Sequence, residues 1–330
     1  MDPLRIGVIG VGHLGSLHAK MLADIPGVHL SGVFDADTDR AKSVAGQYGT
    51  AAPDSLDELL DSVDAVTVAT STNAHFAVAL KALGRGKHVF VEKPITETVA
   101  EAEQLCSVAS GRGLLIQVGH IERFNPAILA LEKYRIAPMF VESHRLAQFN
   151  PRGTDVGVVL DLMIHDIDLI LSFVHSPVQA VEASGVAVVS DSVDIANARL
   201  QFENGCVANV TASRISQRKM RKMRLFQKSG YISIDFSEGT AEVFRLVGED
   251  EPDVKGTMML GEIGSGKQRR KIVYELPEVK EVNALRHELA LFASAIAAGT
   301  RPVVNGEDGK RALEVANAIM EKISRQSFAM

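Results

Sequence analysis

"LRIGVIGVGHLGSLHAK", Leu4 to Lys20, decides how the first third of the chain folds. A short apolar run ends in glycine, and Gly10, Gly12 and Gly15 then follow as G-x-G-x-x-G. Leu14, Leu17, Met21, Leu22 and Ile25 recur at helical spacing until Pro26-Gly27 closes the segment. In a strand–turn–helix context each glycine has a physical task. Gly10 permits the tight turn, Gly12 lets the backbone approach a pyrophosphate, and Gly15 lets helix pack on strand. The first helical turn, with His13 and Leu14, then offers unpaired amides to phosphate charge.

Outward from this stretch the same alternation repeats. "VHLSGVFD", "AVTVAT", "HVFVE" and "LLIQVGH" read as further strands, each run of apolar residues separated by a helical period. Capping boxes at Ser55–Glu58 and Thr98–Glu101 start two of the helices. Short loops between alternating strands and helices predict right-handed crossovers and a parallel, doubly wound sheet buried on both faces. The expectation is an α/β dinucleotide-binding Rossmann domain over 1–122.

Residues 123–330 change character. The pattern predicts a helix over 126–134, a strand at "MFVESHRL", a strongly apolar helix over 158–173, and strands near 180–189, 195–202, 206–214, 222–227 and 231–236. Two helices, about 281–298 and 307–324, follow. The glycine-rich polar stretch 248–271 reads as an exposed hairpin or mobile loop. This second domain is expected to be α+β, with an open, mostly antiparallel sheet.

Composition narrows the function. The length of 330 residues favours two domains over one core. A net charge of −6 argues against bulk affinity for nucleic acid or an anionic membrane, and no run is long enough to span a bilayer. The strand begins right after "MDP", which leaves no room for a signal peptide. Cys106 and Cys206 have no paired spacing, so they read as buried thiols in a reducing compartment, not as a disulfide or zinc site. The expectation is a cytoplasmic protein with no resident metal.

Several residues fall where an open α/β sheet binds ligands, at the carboxyl ends of its strands. Asp35 ends the second strand, where a carboxylate accepts ribose hydroxyls and repels a 2′-phosphate, so NAD is favoured over NADP. Arg40 weakens that preference, either as a phosphate partner or as a solvated helix-start residue. Thr70 and Ser71 end the third strand, Asn73 is positioned to cap the next helix, and His75 falls in its first turn, at the cofactor or on the surface. Glu92-Lys93-Pro94 stops the fourth strand on the same edge as the glycines. A structural ion pair could sit anywhere, whereas a catalytic lysine must sit at this edge.

In the second domain, "LDLMIHDIDL" puts Asp161, His165 and Asp168 at i, i+4 and i+7 on one helical face. Three readings stand: a satisfied buried network, a metal site, and acid–base chemistry in which a carboxylate orients a histidine. Acid–base chemistry is preferred, because a nicotinamide site needs a base and no other segment supplies one so well.

With "GVIGVGHLGSLHA", "EKP", "GHIERFNPA" and "DLMIHDIDL" in this order and spacing, the chain resembles the glucose–fructose oxidoreductase/inositol dehydrogenase (Gfo/Idh/MocA) family along nearly its whole length. The resemblance implies NAD(P)-dependent hydride transfer at a CH–OH group of a sugar, with Lys93 and His165 as the catalytic pair and Asp161 beside them. It also implies that the open sheet face packs against another subunit, as a homodimer or homotetramer. One departure is visible: "DVGVVLDLM" replaces a glycine-rich approach to the aspartate, with Met163 where small residues are frequent.

"GHIERFNP" and "FNPRGTDV" look most like members acting on nucleotide sugars. Arg123, Asn125, Arg152 and Asp168 are the candidate substrate contacts. Seven basic residues and no acidic one lie between Asn204 and Ile234, a run able to meet a diphosphate or to form a solvated sheet face or subunit contact. A non-catalytic NAD-binding sensor is the rival from another class, but it has no need of an acid–base set.

Overall fold

The computed structural model describes residues 2–150, 156–228, 230–248, 257–265 and 269–327. In chain order the elements are β1 (Leu4–Ile9), α1 (His13–Ala23), β2 (Val28–Phe34), α2 (Thr38–Tyr48), α3 (Leu56–Ser62), β3 (Ala65–Val68), α4 (Thr72–Gly84), β4 (His88–Glu92), α5 (Val99–Arg112) and β5 (Ile116–Gly119). After a 3₁₀ turn (Ile121–Phe124) come α6 (Pro126–Leu129), β6 (Phe140–Leu146), a π-helical turn (Val159–Met163) and α7 (Ile164–Val174). Then follow β7 (Val178–Val186), β8 (Ile195–Phe202), β9 (Val207–Ser213), β10 (Met220–Gln227), β11 (Gly230–Asp235), β12 (Thr240–Gly248), β13 (Thr257–Ile263) and β14 (Arg270–Glu275). The chain ends in α8 (Ala284–Ala298) and α9 (Gly306–Ser327).

The first unit comprises Met1–Phe124 and Asn283–Glu314. Its five strands form one parallel sheet in the order β2-β1-β3-β4-β5, as the alternation predicts. Chain order reverses between β1 and β3, which opens a crevice at their carboxyl ends. The core runs through Ile6, Val8, Val33, Ala65 and Phe90 to Leu289 and Phe292. α8 therefore belongs to this unit and packs beside α1. Sequence periodicity placed it with the second domain, because periodicity identifies an apolar face but not the surface that face will meet.

α1 also differs from its reading. Its buried residues are Gly15, His18, Ala19 and Leu22, while Leu14 and Leu17 remain more than a third exposed. Glycine and alanine let this helix lie close on the sheet, so bulky residues are turned outward. A Cβ at Gly15 would stand only 1.8 Å from the Gly10 carbonyl oxygen.

The second unit comprises Asn125–Val282 and Val315–Met330. Its nine-stranded sheet has the order β13-β14-β12-β11-β10-β6-β9-β8-β7, antiparallel throughout except for β6 beside β9. Alternation of buried and exposed residues, clearest in β8, gives the sheet one covered and one open face. The helix expected over 126–134 shrinks to the single turn α6 followed by turns. Within the stretch read as a hairpin or loop, β13 and β14 are paired antiparallel strands at the sheet edge. Among the described residues no helix is long and apolar enough to cross a membrane.

Candidate functional site

The turn between β1 and α1 has the geometry that a phosphate-binding loop requires. Gly10 has φ of +82°, and a Cβ there would lie 2.8 Å from the Thr70 amide nitrogen. Gly12 differs, since a Cβ on it would meet nothing within 4 Å and would project into open space. Gly12 is the N-cap of α1, with no side-chain cap and no acidic residue in the first turn. α4 begins the same way at Ser71, whereas α2, α3 and α5 are each capped by a side chain and carry acids in their first turns. Two helices thus keep their amino-terminal amides for a ligand, and both open on one cleft of about 470 Å³. Gly10, Gly12, Asp35, Arg40, Thr70 and Ser71 help to line it.

Asp35 stands at the mouth of that cleft, 9% exposed. Its carboxylate accepts hydrogen bonds from the amides of Val11 (2.7 Å) and Asp37 (2.9 Å), which orient it toward the glycine turn. Arg40 bridges Asp35 at 3.3 Å and Asp37 at 3.0 Å. The arginine is thus committed to two carboxylates, with Asp39 beside them, and the rim as a whole disfavours a 2′-phosphate. The residues present fit a dinucleotide: a cradle that a side chain would fill, two uncapped helix ends and an acidic ribose acceptor.

The other expected cofactor residues divide. His13 and Leu14 have exposed side chains in the first turn of α1, directly after Gly12 of the cleft lining. Asn73 is not the helix cap, because Ser71 holds that position and donates its hydroxyl to Asn73 Oδ1 at 2.6 Å. His75 is neither at the surface nor in the cleft wall. It is 1% exposed, with Nδ1 2.9 Å from the Pro94 carbonyl and Nε2 3.2 Å from the Thr70 carbonyl.

Lys93 follows the last residue of β4 and is half-buried, joined to Pro94 by a cis peptide. Glu92 is buried beneath it and bonded to His18 of α1 at 3.0 Å. The carboxylate is boxed in so closely that a Cβ at Gly119 would stand 2.7 Å from it. The Glu92 carboxylate also accepts from the Lys93 amide at 3.3 Å, so it is bonded within the turn itself. His18 was missed, although a histidine within an apolar helix face is itself a signal of a buried partner.

In the second unit, Asp161 lies in the π-helical turn and His165 in the first turn of α7. Both are half-buried, whereas Asp168 is only 1% exposed. The i, i+4, i+7 stripe was drawn for a regular α-helix, and the wider turn at Val159–Met163 alters its first step; such turns recur at functional sites. Asp166, which the stripe passed over, forms two 2.9 Å hydrogen bonds with Arg145 of β6. Among the described residues no group of three His, Cys, Asp or Glu side chains is placed to hold a metal ion.

Asn125 caps α6 through the Ala127 amide and donates to the Phe236 carbonyl, so its side chain is taken up structurally. Arg123 lies half-buried on the 3₁₀ turn. Arg152 falls outside the described residues. The basic run is not one site. Arg214 is buried against Asp194 at 2.8 Å, while Lys222 and Arg224 pair with Asp235 and Glu142 on the open sheet face. Burial pushes the Asp194 carboxyl up, but the amides of Val189 and Val188, the Ser190 hydroxyl and Arg214 outweigh it and hold the group well below the usual carboxylate range.

Comparison with known proteins agrees with this geometry. Residues 4–120 match the oxidoreductase family with an NAD-binding Rossmann fold, and 136–242 match the GFO/IDH/MocA C-terminal domain. The chain belongs to the Gfo/Idh/MocA oxidoreductase family. It is 38% identical to the UDP-N-acetylglucosamine 3-dehydrogenase of Acidithiobacillus ferrooxidans, over 99% of both chains. A solved structure of that enzyme superposes with a TM-score of 0.87, covering 98% of each chain. The myo-inositol 2-dehydrogenase of Thermotoga maritima is 26% identical over 98% of this chain and 97% of its own. The protein is thus an NAD-binding oxidoreductase.

The cofactor cradle makes a sharp prediction. Gly12→Ala should leave the melting temperature unchanged, since its Cβ meets no protein atom within 4 Å, yet weaken NAD binding by more than about tenfold. Calorimetric titration checks it, and undiminished affinity would mean that the pyrophosphate lies elsewhere.

Proposed function

We propose that the protein oxidises the 3-hydroxyl of UDP-N-acetylglucosamine. The observation that carries this reading is the 38% identity to a UDP-N-acetylglucosamine 3-dehydrogenase along the whole chain. The Asp161–His165 and Glu92–Lys93 motifs on this sequence support it. NAD, when bound, supplies the hydride acceptor. His165 takes the hydroxyl proton, Asp161 orients the imidazole, and Lys93 stabilises charge developing on the substrate oxygen. Arg123 and Arg152 are the candidate contacts for the nucleotide-sugar portion. Asp168, being buried, acts as support for the helix.

A panel of UDP-linked sugars, free sugars and inositols, assayed for NADH formation with and without 2-oxoglutarate, tests the proposal. Turnover confined to UDP-N-acetylglucosamine is expected. Turnover of inositol or a free sugar in its place would transfer the protein to the branch of its 26% identical relative. The 2-oxoglutarate arm detects a tightly held cofactor that an oxoacid must recycle.

We place the protein in the cytoplasm, because its two cysteines are unpaired and suit a reducing compartment. We also assign the open face of the nine-stranded sheet to self-association, as a homodimer or a homotetramer. Phe140, Phe226, Tyr231, Phe244 and Tyr274 form an aromatic row across five strands, with successive ring centroids 6.0, 4.9, 5.3 and 4.9 Å apart. The Arg224–Glu142 and Lys222–Asp235 ion pairs neutralise charges flanking it, and Tyr274 donates a hydrogen bond to Glu242. Pairing of these charges lowers the like-charge repulsion between two copies of this face. Light scattering should show an oligomer for the natural protein and a monomer for Phe226→Glu; a monomeric natural protein would sink the assignment.

A further inference from the structure

His75 occupies a position that the glycine fingerprint and the catalytic set do not explain. It lies one turn into α4 and is 1% exposed, with a backbone carbonyl at each ring nitrogen. The two carbonyls belong to different walls. Thr70 ends the loop after β3 and lines the cofactor cleft, whereas Pro94 directly follows Lys93. A single buried ring thus ties the cleft to the turn that presents the lysine.

The chemistry of the ring makes this tie selective. A neutral imidazole has one N–H and one bare lone pair, so it donates to only one of two carbonyls. Burial lowers the His75 pKa, against the opposing pull of the Pro94 and Thr70 carbonyls and the Glu92 charge, which keeps the ring neutral at ordinary pH. Of the two contacts the 2.9 Å one from Nδ1 to the Pro94 carbonyl is the shorter, and the 3.2 Å one from Nε2 to the Thr70 carbonyl the longer, so the geometry favours Nδ1 as the donor.

We propose that His75 is a positioning residue for Lys93, its Nδ1–H bond to the Pro94 carbonyl fixing the lysine turn relative to the loop that walls the cofactor cleft. The inference rests on the proposed catalytic role of Lys93. Loss of this bond lets the turn shift while the glycine cradle stays intact, so kcat falls and NAD binding does not.

Two substitutions separate the ring nitrogens. The asparagine amide hangs from the same γ carbon as Nδ1, and the glutamine amide reaches one bond further, as Nε2 does. His75→Asn should retain the Pro94 bond and keep kcat within about twofold of the natural protein. His75→Gln should lose it, lowering kcat by roughly tenfold with an unchanged KM for NAD. A merely structural histidine would lower the melting temperature in both variants and would not split kcat between them. Equal losses, or no loss in His75→Gln, overturn the proposal. Lys93→Met is assayed in parallel: if it retains turnover, the lysine assignment has failed, and the His75 result is then read only as a turn effect.

Nitrogen NMR of the natural protein gives a test that needs no variant to fold. The His75 proton should reside on Nδ1, with and without NAD; a proton on Nε2 overturns the proposal.

Discussion

Lys93→Met is expected to lower kcat by roughly 10²–10⁴-fold while NAD still binds. Methionine nearly matches the length of lysine but carries no charge and no donor, so the substitution removes the chemistry and little of the shape. The residue is half-buried at the carboxyl edge of β4, outside the glycine cradle that grips the cofactor. Its turn is held independently, by Glu92 with His18 below and by the Pro94 carbonyl at His75. Neither contact uses the lysine ammonium, so the turn should survive the change. Steady-state kinetics and NAD titration on the same preparation check the split. Turnover within a few-fold of the natural protein would remove Lys93 from the chemistry. Loss of NAD binding alongside turnover would make it a cofactor ligand and not an acid–base group.

The cofactor half of this site was legible because its physical demands are local. Gly10, Gly12 and Gly15 are required by a φ of +82°, an open cradle and a 1.8 Å approach, all set within six residues. Glu92-Lys93-Pro94 was legible for a related reason, since two charges and a proline mark where a buried strand ends, although Glu92 itself is buried. What was not legible depends on partners distant in the chain. Leu17 follows the helical period but faces outward, and His18, a polar residue between Leu14 and Leu22 at helical spacing, is buried with Glu92 as its partner. Arg214 looked like one cation in a basic run, yet Asp194, twenty positions earlier, claims it. The stretch 248–271 reads equally as a hairpin or a loop because Met258, Met259, Leu260 and Ile263 are all exposed on an edge strand, where no alternation of apolar and polar residues is imposed.

Breaking the Arg145–Asp166 pair should cost the second unit more stability than any other single change to a charged side chain proposed here. Arg145 is 4% exposed and Asp166 1%, and the two share a bidentate contact at 2.9 and 2.9 Å. The Arg145 guanidinium also lies 5.8 Å from the centre of the Phe236 ring. Asp166→Ala removes the bidentate carboxylate from a guanidinium that cannot shed its proton, and the loss is expected to be about 3–5 kcal/mol in denaturant unfolding. Asp166→Asn keeps the shape and loses only the charge, so it should recover little. Removing both charges, in Arg145→Met with Asp166→Leu, should recover much of the loss, because no charge is then left buried. This ordering matters for function. Asp166 ties α7 to β6 one residue beyond His165, so the double variant is expected to restore the fold without the polar tie that fixes this turn of the helix. It should regain stability while kcat stays low. A double variant that recovers both would show that the pair only secures the helix, and one that recovers neither would show that packing of Met and Leu fails to replace it.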